Sequence, residues 1–199
     1  RPGATSRGDW DKNIPSSMPI KDGKTAYDPA DTGLTAGTRF PRPYYEGSSA
    51  SSNSLADIAM YYWVRDLRLS GSVSANNVKT TSSDPAYWQH MNTFTIGLGV
   101  NGTLAYPDDL AALTSGSKNW PVPAAESATA IDDLWHAAVN GRGQYYKANN
   151  PSTLATGLTS ALLAITGESS YGVGPSSSTS YFKSPDENDY TTYVNSYRV

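Results

Sequence analysis

Thr93-Phe94-Thr95-Ile96-Gly97-Leu98-Gly99-Val100 is the stretch that decides the fold. It is rich in β-branched residues, carries no charge and runs into Asn101-Gly102, so it reads as a buried strand. Gly97 and Gly99 inside it mark places where another backbone or side chain packs close. Further along, Ile131, Leu134, Trp135, Ala138 and Val139 recur at helical spacing behind Thr129 as a cap. Asp132 and Asp133 suit the positive start of that helix, and Gly141 is placed to stop it. Gln144-Tyr145-Tyr146-Lys147-Ala148 follows as a short strand. Asn150-Pro151 then supplies a cap and a first-turn proline. The last helix should turn Leu154, Leu158, Ala161, Leu162 and Ile165 inward and close at Gly167. Thr93 to Gly167 is therefore a strand–helix–strand–helix unit of a parallel α/β domain with right-handed crossovers. A parallel sheet covered on both faces has about five or six strands, and this stretch supplies two. Either further strands lie in the irregular segments, or the chain is the second half of a domain whose sheet edge something else covers.

Upstream, Ser54 and Asp57 have capping-box spacing. They open a helix in which Leu55, Ile58, Ala59, Tyr62 and Trp63 share one face, while Met60, Tyr61 and Val64 make the other side apolar too. A helix apolar all round is buried on more than one side. It should end near Arg68. Residues 1–52 hold Pro2, Pro15, Pro19, Pro29, Pro41 and Pro43 with many Gly and Ser, and read as a long ordered loop or extension, not a domain core. Ser48-Ser49-Ala50-Ser51-Ser52 reads as a flexible link. Residues 70–92 and 101–128 are irregular, and residues 168–199 form a Ser- and Tyr-rich tail with short β-like patterns.

The 199-residue chain has a net charge of −3, 14 Tyr, 5 Trp and no Cys, with 17% charged and 38% apolar residues. Both shares are low for a soluble domain, which fits a loop-rich exported or surface-exposed protein. Nucleic-acid binding needs clustered Lys and Arg. The small pair Arg39 and Arg42 sits among prolines, so that function is not expected. Disulfides and thiolate metal sites are excluded within the chain. No apolar run approaches the ~18 residues that span a bilayer, and no signal peptide is visible. The chain opens at Arg1 without a Met, as a processed or truncated piece of a longer protein would.

Leu55-Ala56-Asp57-Ile58-Ala59-Met60-Tyr61-Tyr62-Trp63 followed by Asp66-Leu67-Arg68 resembles a characteristic helix of the PilY/PilC family of type IV pilus assembly proteins and tip adhesins. So do Trp88-Gln89-His90-Met91-Asn92 running into Thr93 to Val100, and the block from Ile131 to Tyr146. The resemblance covers about Asn53 to Ile165, with residues 1–52 matching only a variable region. It implies an α/β fold: the C-terminal half of a von Willebrand factor A-like doubly wound parallel sheet with long irregular loops. On that reading residues 1–52 are an irregular extension and 53–167 the half-domain. Residues 168–199 are a linker leading towards a further C-terminal domain. The resemblance implies an exported, non-enzymatic component of the pilus tip at the cell surface or outer membrane. Its partners would be minor pilins, the tip complex and host-cell or surface ligands, without nucleic acid or a membrane span. A-like domains often hold a divalent cation at an Asp-x-Ser-x-Ser loop. That loop is absent here, so no metal site and no cofactor transfers to this chain, and calcium or magnesium is an expectation for the full-length protein alone.

Several candidate sites stand beside plainer readings. Arg7-Gly8-Asp9 is the integrin-recognition tripeptide, equally readable as a solvated loop. Asp9, Asp11 and Asn13 have the D-x-D-x-N spacing that opens a calcium loop. Ile14 then occupies the position an EF-hand gives to Gly, and Ile20 the position of its Glu. Asp186, Glu187 and Asp189 form another acidic turn. His90 and His136 lack the local spacing of a zinc site. Asp132 and Asp133 point in different directions on a helix and make no acid–base pair. No catalytic residue is assigned, since no nucleophile elbow or phosphate loop is present. Tyr44, Tyr45, Trp120, Tyr171 and Tyr181 lie in expected loops and are candidates for contact with sugar or protein. Trp63, Trp88 and Trp135 read as core. A carbohydrate-binding module using exposed aromatics is the alternative function, and a hydrolase fragment lacking its catalytic half is a third.

Overall fold

The computed structural model describes residues 8–48, 51–68 and 75–168. Arg7, Tyr171, Tyr181 and the acidic turn at 186–189 lie outside them. The chain divides after Ala161 into two compact units, and the elements below belong to the first except for the last turns of its final helix. In chain order they are a 3-10 turn at Pro29–Asp31, α1 at Leu55–Val64, β1 at Thr93–Leu98, α2 at Leu110–Ser115, α3 at Thr129–Asn140, β2 at Arg142–Ala148 and α4 at Pro151–Glu168.

β1 and β2 pair in parallel, with Thr95 opposite Tyr145 and Leu98 opposite Ala148. α3 forms the connection and packs on both strands and on α1. The expected α/β unit is present, and among the described residues its sheet has two strands. A Cβ at Gly97 would stand 2.1 Å from the Tyr145 hydroxyl oxygen, so the glycine does mark a close approach. Gly141 ends α3 with φ −85, not in the left-handed conformation. Its glycine is required for another reason: a Cβ there would lie 2.4 Å from Cβ of Thr93, and one at Gly143 would lie 2.1 Å from the Thr93 carbonyl oxygen.

Ser54 and Asp57 form the capping box of α1, each linked to the other's backbone N–H at 3.0 Å. Asp133 of α3 reinforces it, accepting from the Leu55 and Ala56 amides at 2.8 and 3.1 Å. α1 stops at Val64 rather than near Arg68 because Arg65 is extended and the Leu67 amide donates to the Gln89 carbonyl at 2.8 Å. Thr129 is the first residue of α3, not its cap; Ser127 accepts from the Thr129 amide at 3.2 Å. α2 lies in a segment expected to be loop. It is six residues long and buries Leu113 alone, too short for a periodic signal.

Two apolar clusters result. Leu113, Trp120, Trp135, Ala138 and Tyr145 fill one, beside the sheet. The other joins Met60, Trp63 and Val64 of α1 and Ala86, Tyr87 and Trp88 to Ile14, Met18, Leu34 and Phe40. Residues 8–48 are irregular, as expected, but they are core and not an appended extension: Ile14 and Phe40 are each 2% exposed. The Ser-rich link is also engaged, with Ser51 donating to Glu46 and Ser48 accepting from Asn119. On α4, Asn150 caps as expected, accepting from the Thr153 amide at 2.9 Å. The inward face differs from expectation. Gly157 lies against Tyr146 and Ala161 is buried, whereas Leu158 and Leu162 are 46% and 63% exposed. Small residues, not leucines, make the close approach.

Gly143→Ala should destabilise the chain by ~1–3 kcal/mol, because the added methyl meets backbone that cannot swing away. Gly99→Ala, strained only by its φ of +68, should cost less, about 1 kcal/mol. Urea unfolding midpoints of the two variants test that order.

Candidate functional site

The irregular N-terminal segment folds over the start of α1 and brings acidic side chains together. One carboxylate oxygen each from Asp9, Asp11 and Asp57 lie within 4.8 Å of one another. Asp11 and Asp57 are fully buried. Trp10 donates its amide to Asp57 Oδ1 at 2.6 Å, which wraps residues 9–11 around the helix N-terminus. Asn140, at the end of α3, donates through Nδ2 to Asp11 Oδ2 at 3.0 Å and to the Ala56 carbonyl at 3.2 Å. Lys12 Nζ stands 3.5 Å from Asp9 Oδ2. Oδ1 of Asp9, of Asp11 and of Asn140 are buried without a hydrogen-bond partner, a rare state for polar atoms in a folded protein.

The electrostatics follow from crowding. Burial pushes the Asp11 carboxyl up to about 9, with Glu46, Asp57 and Asp9 adding to the rise and Asn140 opposing it. Burial likewise lifts Glu46 to about 7, against hydrogen bonds from Ser51. Asp57 is raised by burial and held back by backbone amides, that of Ser54 first. His136 is driven down to about 3 by burial. Its Nε2 donates to the Tyr44 carbonyl at 2.7 Å, and its ring stacks on Trp120 at 4.4 Å. His136 Nε2 and Asp11 Oδ2 are 3.5 Å apart, and burial disfavours the charged form of each.

A second buried polar centre is built on Asp84. It accepts from Trp63 Nε1 at 3.0 Å, His90 Nε2 at 2.8 Å and Asn92 Nδ2 at 2.8 Å. His90 Nδ1 faces the Trp88 carbonyl at 2.7 Å. Both ring nitrogens therefore face acceptors, which requires a proton on each. Burial opposes the charge on His90, yet Asp84 outweighs it and raises the imidazole above its ordinary value; Asp84, penalised by burial, is lowered by His90, Asn92 and Trp63. Both histidines thus serve packing and internal hydrogen bonding, as their lack of zinc spacing suggested.

The sequence candidates fall in different places. Gly8 and Asn53 exchange hydrogen bonds at 3.1 Å, and the Asp9 side chain is 17% exposed. Trp120 is a correction: it is 1% exposed, with its indole donating to the Pro43 carbonyl at 2.7 Å, so it is core and not a recognition surface. A Trp between Asn and Pro looks like a loop tip in sequence, whereas here the loop closes over the second apolar cluster. Tyr44 and Tyr45 are half-buried beneath Arg142 and Arg39, at 3.8 and 4.6 Å from their ring centres. Arg42 donates to the carbonyls of Leu113, Tyr45 and Lys118, a structural use of the small basic pair. Asp132 and Asp133 do diverge: Asp132 accepts from Thr103 and Leu104, Asp133 from the start of α1. Asn13 is exposed and bridges to Arg39, outside the acidic group. Sequence reasoning missed Asp57 as a companion of Asp9 and Asp11, because its capping role explained it fully.

Fold and site together define a loop-rich α/β segment whose buried polar centres join irregular backbone to helices. No family model matches the chain and no solved structure matches it. Curated relatives do. Type IV pilus biogenesis factor PilY1 of Pseudomonas aeruginosa strain PAK is 34% identical over 146 residues, covering 60% of this chain and 12% of the relative. PilY1 of strain UCBPP-PA14 is 34% identical over 148 residues, covering 63% of this chain and 13% of the relative. The matched region thus spans about one eighth of the length of these relatives. Over it the chain is similar to PilY1, and the PilY/PilC resemblance is borne out.

The His90–Asp84 pair predicts a pH profile. His90 is raised from 6.5, so its contribution is complete below that value and is lost as pH rises through the raised one; Asp84 is lowered from 3.8, so its contribution is complete above that value and is lost as pH falls through the lowered one. The pair is strongest between those ordinary values. Asp84→Ala should cost about 3–5 kcal/mol at pH 5.5, since it strands a buried charge. His90→Gln should flatten the loss of stability from pH 6 to 9. Denaturant unfolding across pH measures both.

Proposed function

We propose that this chain is part of a type IV pilus biogenesis protein and acts there by binding, not by catalysis. The observation that carries the reading is the likeness to type IV pilus biogenesis factor PilY1, 34% identical over 146 residues. The blocks that resemble the family are α1, the segment from Trp88 through β1, and α3 with the start of β2, which pack on one another. Within the wider reading, residues 53–167 are the closing half of a von Willebrand factor A-like domain, and 168–199 lead towards a further domain. Two features support that: the described sheet has two strands, and Leu98, at the end of β1, and Val100, just past it, are 59% and 47% exposed. A sheet finished by neighbouring strands would cover them.

In this role the protein sits at the pilus tip on the cell surface, meets minor pilins through loops carried on the α/β scaffold, and contributes to adhesion to host cells or surfaces. Among the described residues no helix is long and apolar enough to cross a membrane. The burial of Trp120 and the stacking of Tyr44 and Tyr45 under arginines take away support for a carbohydrate-binding surface. The test is a strain whose full-length protein lacks residues 53–167. It should shed few or no sheared surface pili and adhere poorly, with the truncated protein still present by immunoblot. Normal piliation and adherence with the truncated protein would overturn the reading.

A further inference from the structure

We infer that Asp9, Asp11 and Asp57 form a site for a hard divalent cation of the calcium type, clamping the N-terminal loop onto the start of α1. The inference does not depend on a pilus role. It begins from the D-x-D spacing of Asp9 and Asp11, which as a sequence motif fails at Ile14 and Ile20. The fold supplies what the linear motif lacks. Asp57 comes from α1, takes the place Asn13 would hold in a linear loop, and brings a third carboxylate oxygen to within 4.8 Å of the other two.

A cluster of acids alone would not make a site. Here the interior of the cluster is also unsatisfied. Asp11 is 0% exposed and its Oδ1 has no donor, in a carboxylate crowded by Asp9 and Asp57; Oδ1 of Asp9 is buried and unpartnered as well. An ionised Asp11 leaves Oδ1 without a donor. A cation satisfies both oxygens and offsets the repulsion among the carboxylates, with Glu46 lending its field from beside them.

The donor set fixes the class of ion. It is all oxygen: His136 is the nearby nitrogen, and its Nε2 donates to the Tyr44 carbonyl, so zinc and other borderline metals find no ligand of their kind. Calcium–oxygen distances of about 2.4 Å allow ligand oxygens up to about 4.8 Å apart to share one ion. The three oxygens, all within 4.8 Å of one another, lie within reach of one such cation, and the preference for calcium comes from the flexible, oxygen-rich coordination it accepts, whereas magnesium demands near-ideal octahedral geometry and gives up its waters reluctantly. Three carboxylates leave about three or more positions for water or carbonyl oxygens, a common pattern for calcium. The Asp9 carboxylate is then committed to the ion, which removes it from the Arg7-Gly8-Asp9 tripeptide as a free ligand for another protein.

The test is calcium titration of the full chain by calorimetry, with thermal unfolding in calcium chloride, magnesium chloride and EDTA. Calcium should bind near one equivalent and raise the melting temperature above the EDTA value, and magnesium should raise it less. Asp9→Asn should weaken calcium binding at least about tenfold, since affinity follows ligand charge. Asp11→Asn should still melt cooperatively in EDTA yet lose the calcium-dependent rise. No heat and no rise up to about 10 mM calcium, beyond the weakest biological sites, would overturn the proposal. So would a rise unchanged in both variants, or one abolished instead by Asp186→Asn with Asp189→Asn.

Discussion

The Arg142 guanidinium is buried between two aromatic rings, 3.4 Å from the Trp63 ring centre and 3.8 Å from that of Tyr44. Most of this structure depends on that contact. Trp63 belongs to α1, Tyr44 to the irregular N-terminal segment and Arg142 to the first position of β2, so one cation holds three parts of the chain in register. Burial lowers its pKa to about 10, which still leaves it charged at neutral pH. A desolvated cation–π contact is worth ~2 kcal/mol or more, and here two rings share one cation. Arg142 Nη1 also donates to the Asn140 carbonyl at 2.5 Å. The arrangement is demanding: Arg142 has φ +55, a left-handed conformation unfavourable for a long side chain, and its Nε is unpartnered. Such a backbone persists when its surroundings over-determine it.

The glycines on either side explain how the arginine reaches its place. Gly141 and Gly143 both lie against Thr93, where any side chain would collide, so the chain can turn out of α3 and start pairing with β1 at once. Asn140, one residue before this turn, holds Asp11 and Ala56 together. The end of α3 is thus the point where the loop segment, α1 and the sheet are joined. Asn140 reaches the buried acids and Arg142, two residues on, reaches the buried rings of Trp63 and Tyr44.

Much of this was legible in the sequence. Uncharged β-branched residues from Thr93 gave away β1, the 3.6-residue period gave α3, and the Ser54/Asp57 spacing gave both the start and the cap chemistry of α1. These signals are local, and their causes are local. What could not be read was set by contacts distant in sequence. Ile14, Met18, Leu34 and Phe40 carry no period because no regular element spaces them, so their burial is invisible without the partner helix. Trp120 looked exposed for the same reason. Arg142, between Gly141 and Gly143, carries no local signal of its burial. Asp57 was already explained as a cap, which hid its place beside Asp9 and Asp11. For the candidate site, the D-x-D pair was visible, but its third member required the fold.

The account rests on the N-terminal segment being half of the core, tied in by Arg142 and Asn140. The most direct measurement compares the full chain with one beginning at Ser51, by near-ultraviolet circular dichroism and urea unfolding. Without Tyr44, Phe40 and the Asp11 contact, the shortened chain should lose the aromatic signal of buried Trp63 and Trp88 and unfold without a cooperative transition. A shortened chain with the same aromatic spectrum and the same unfolding midpoint would contradict it.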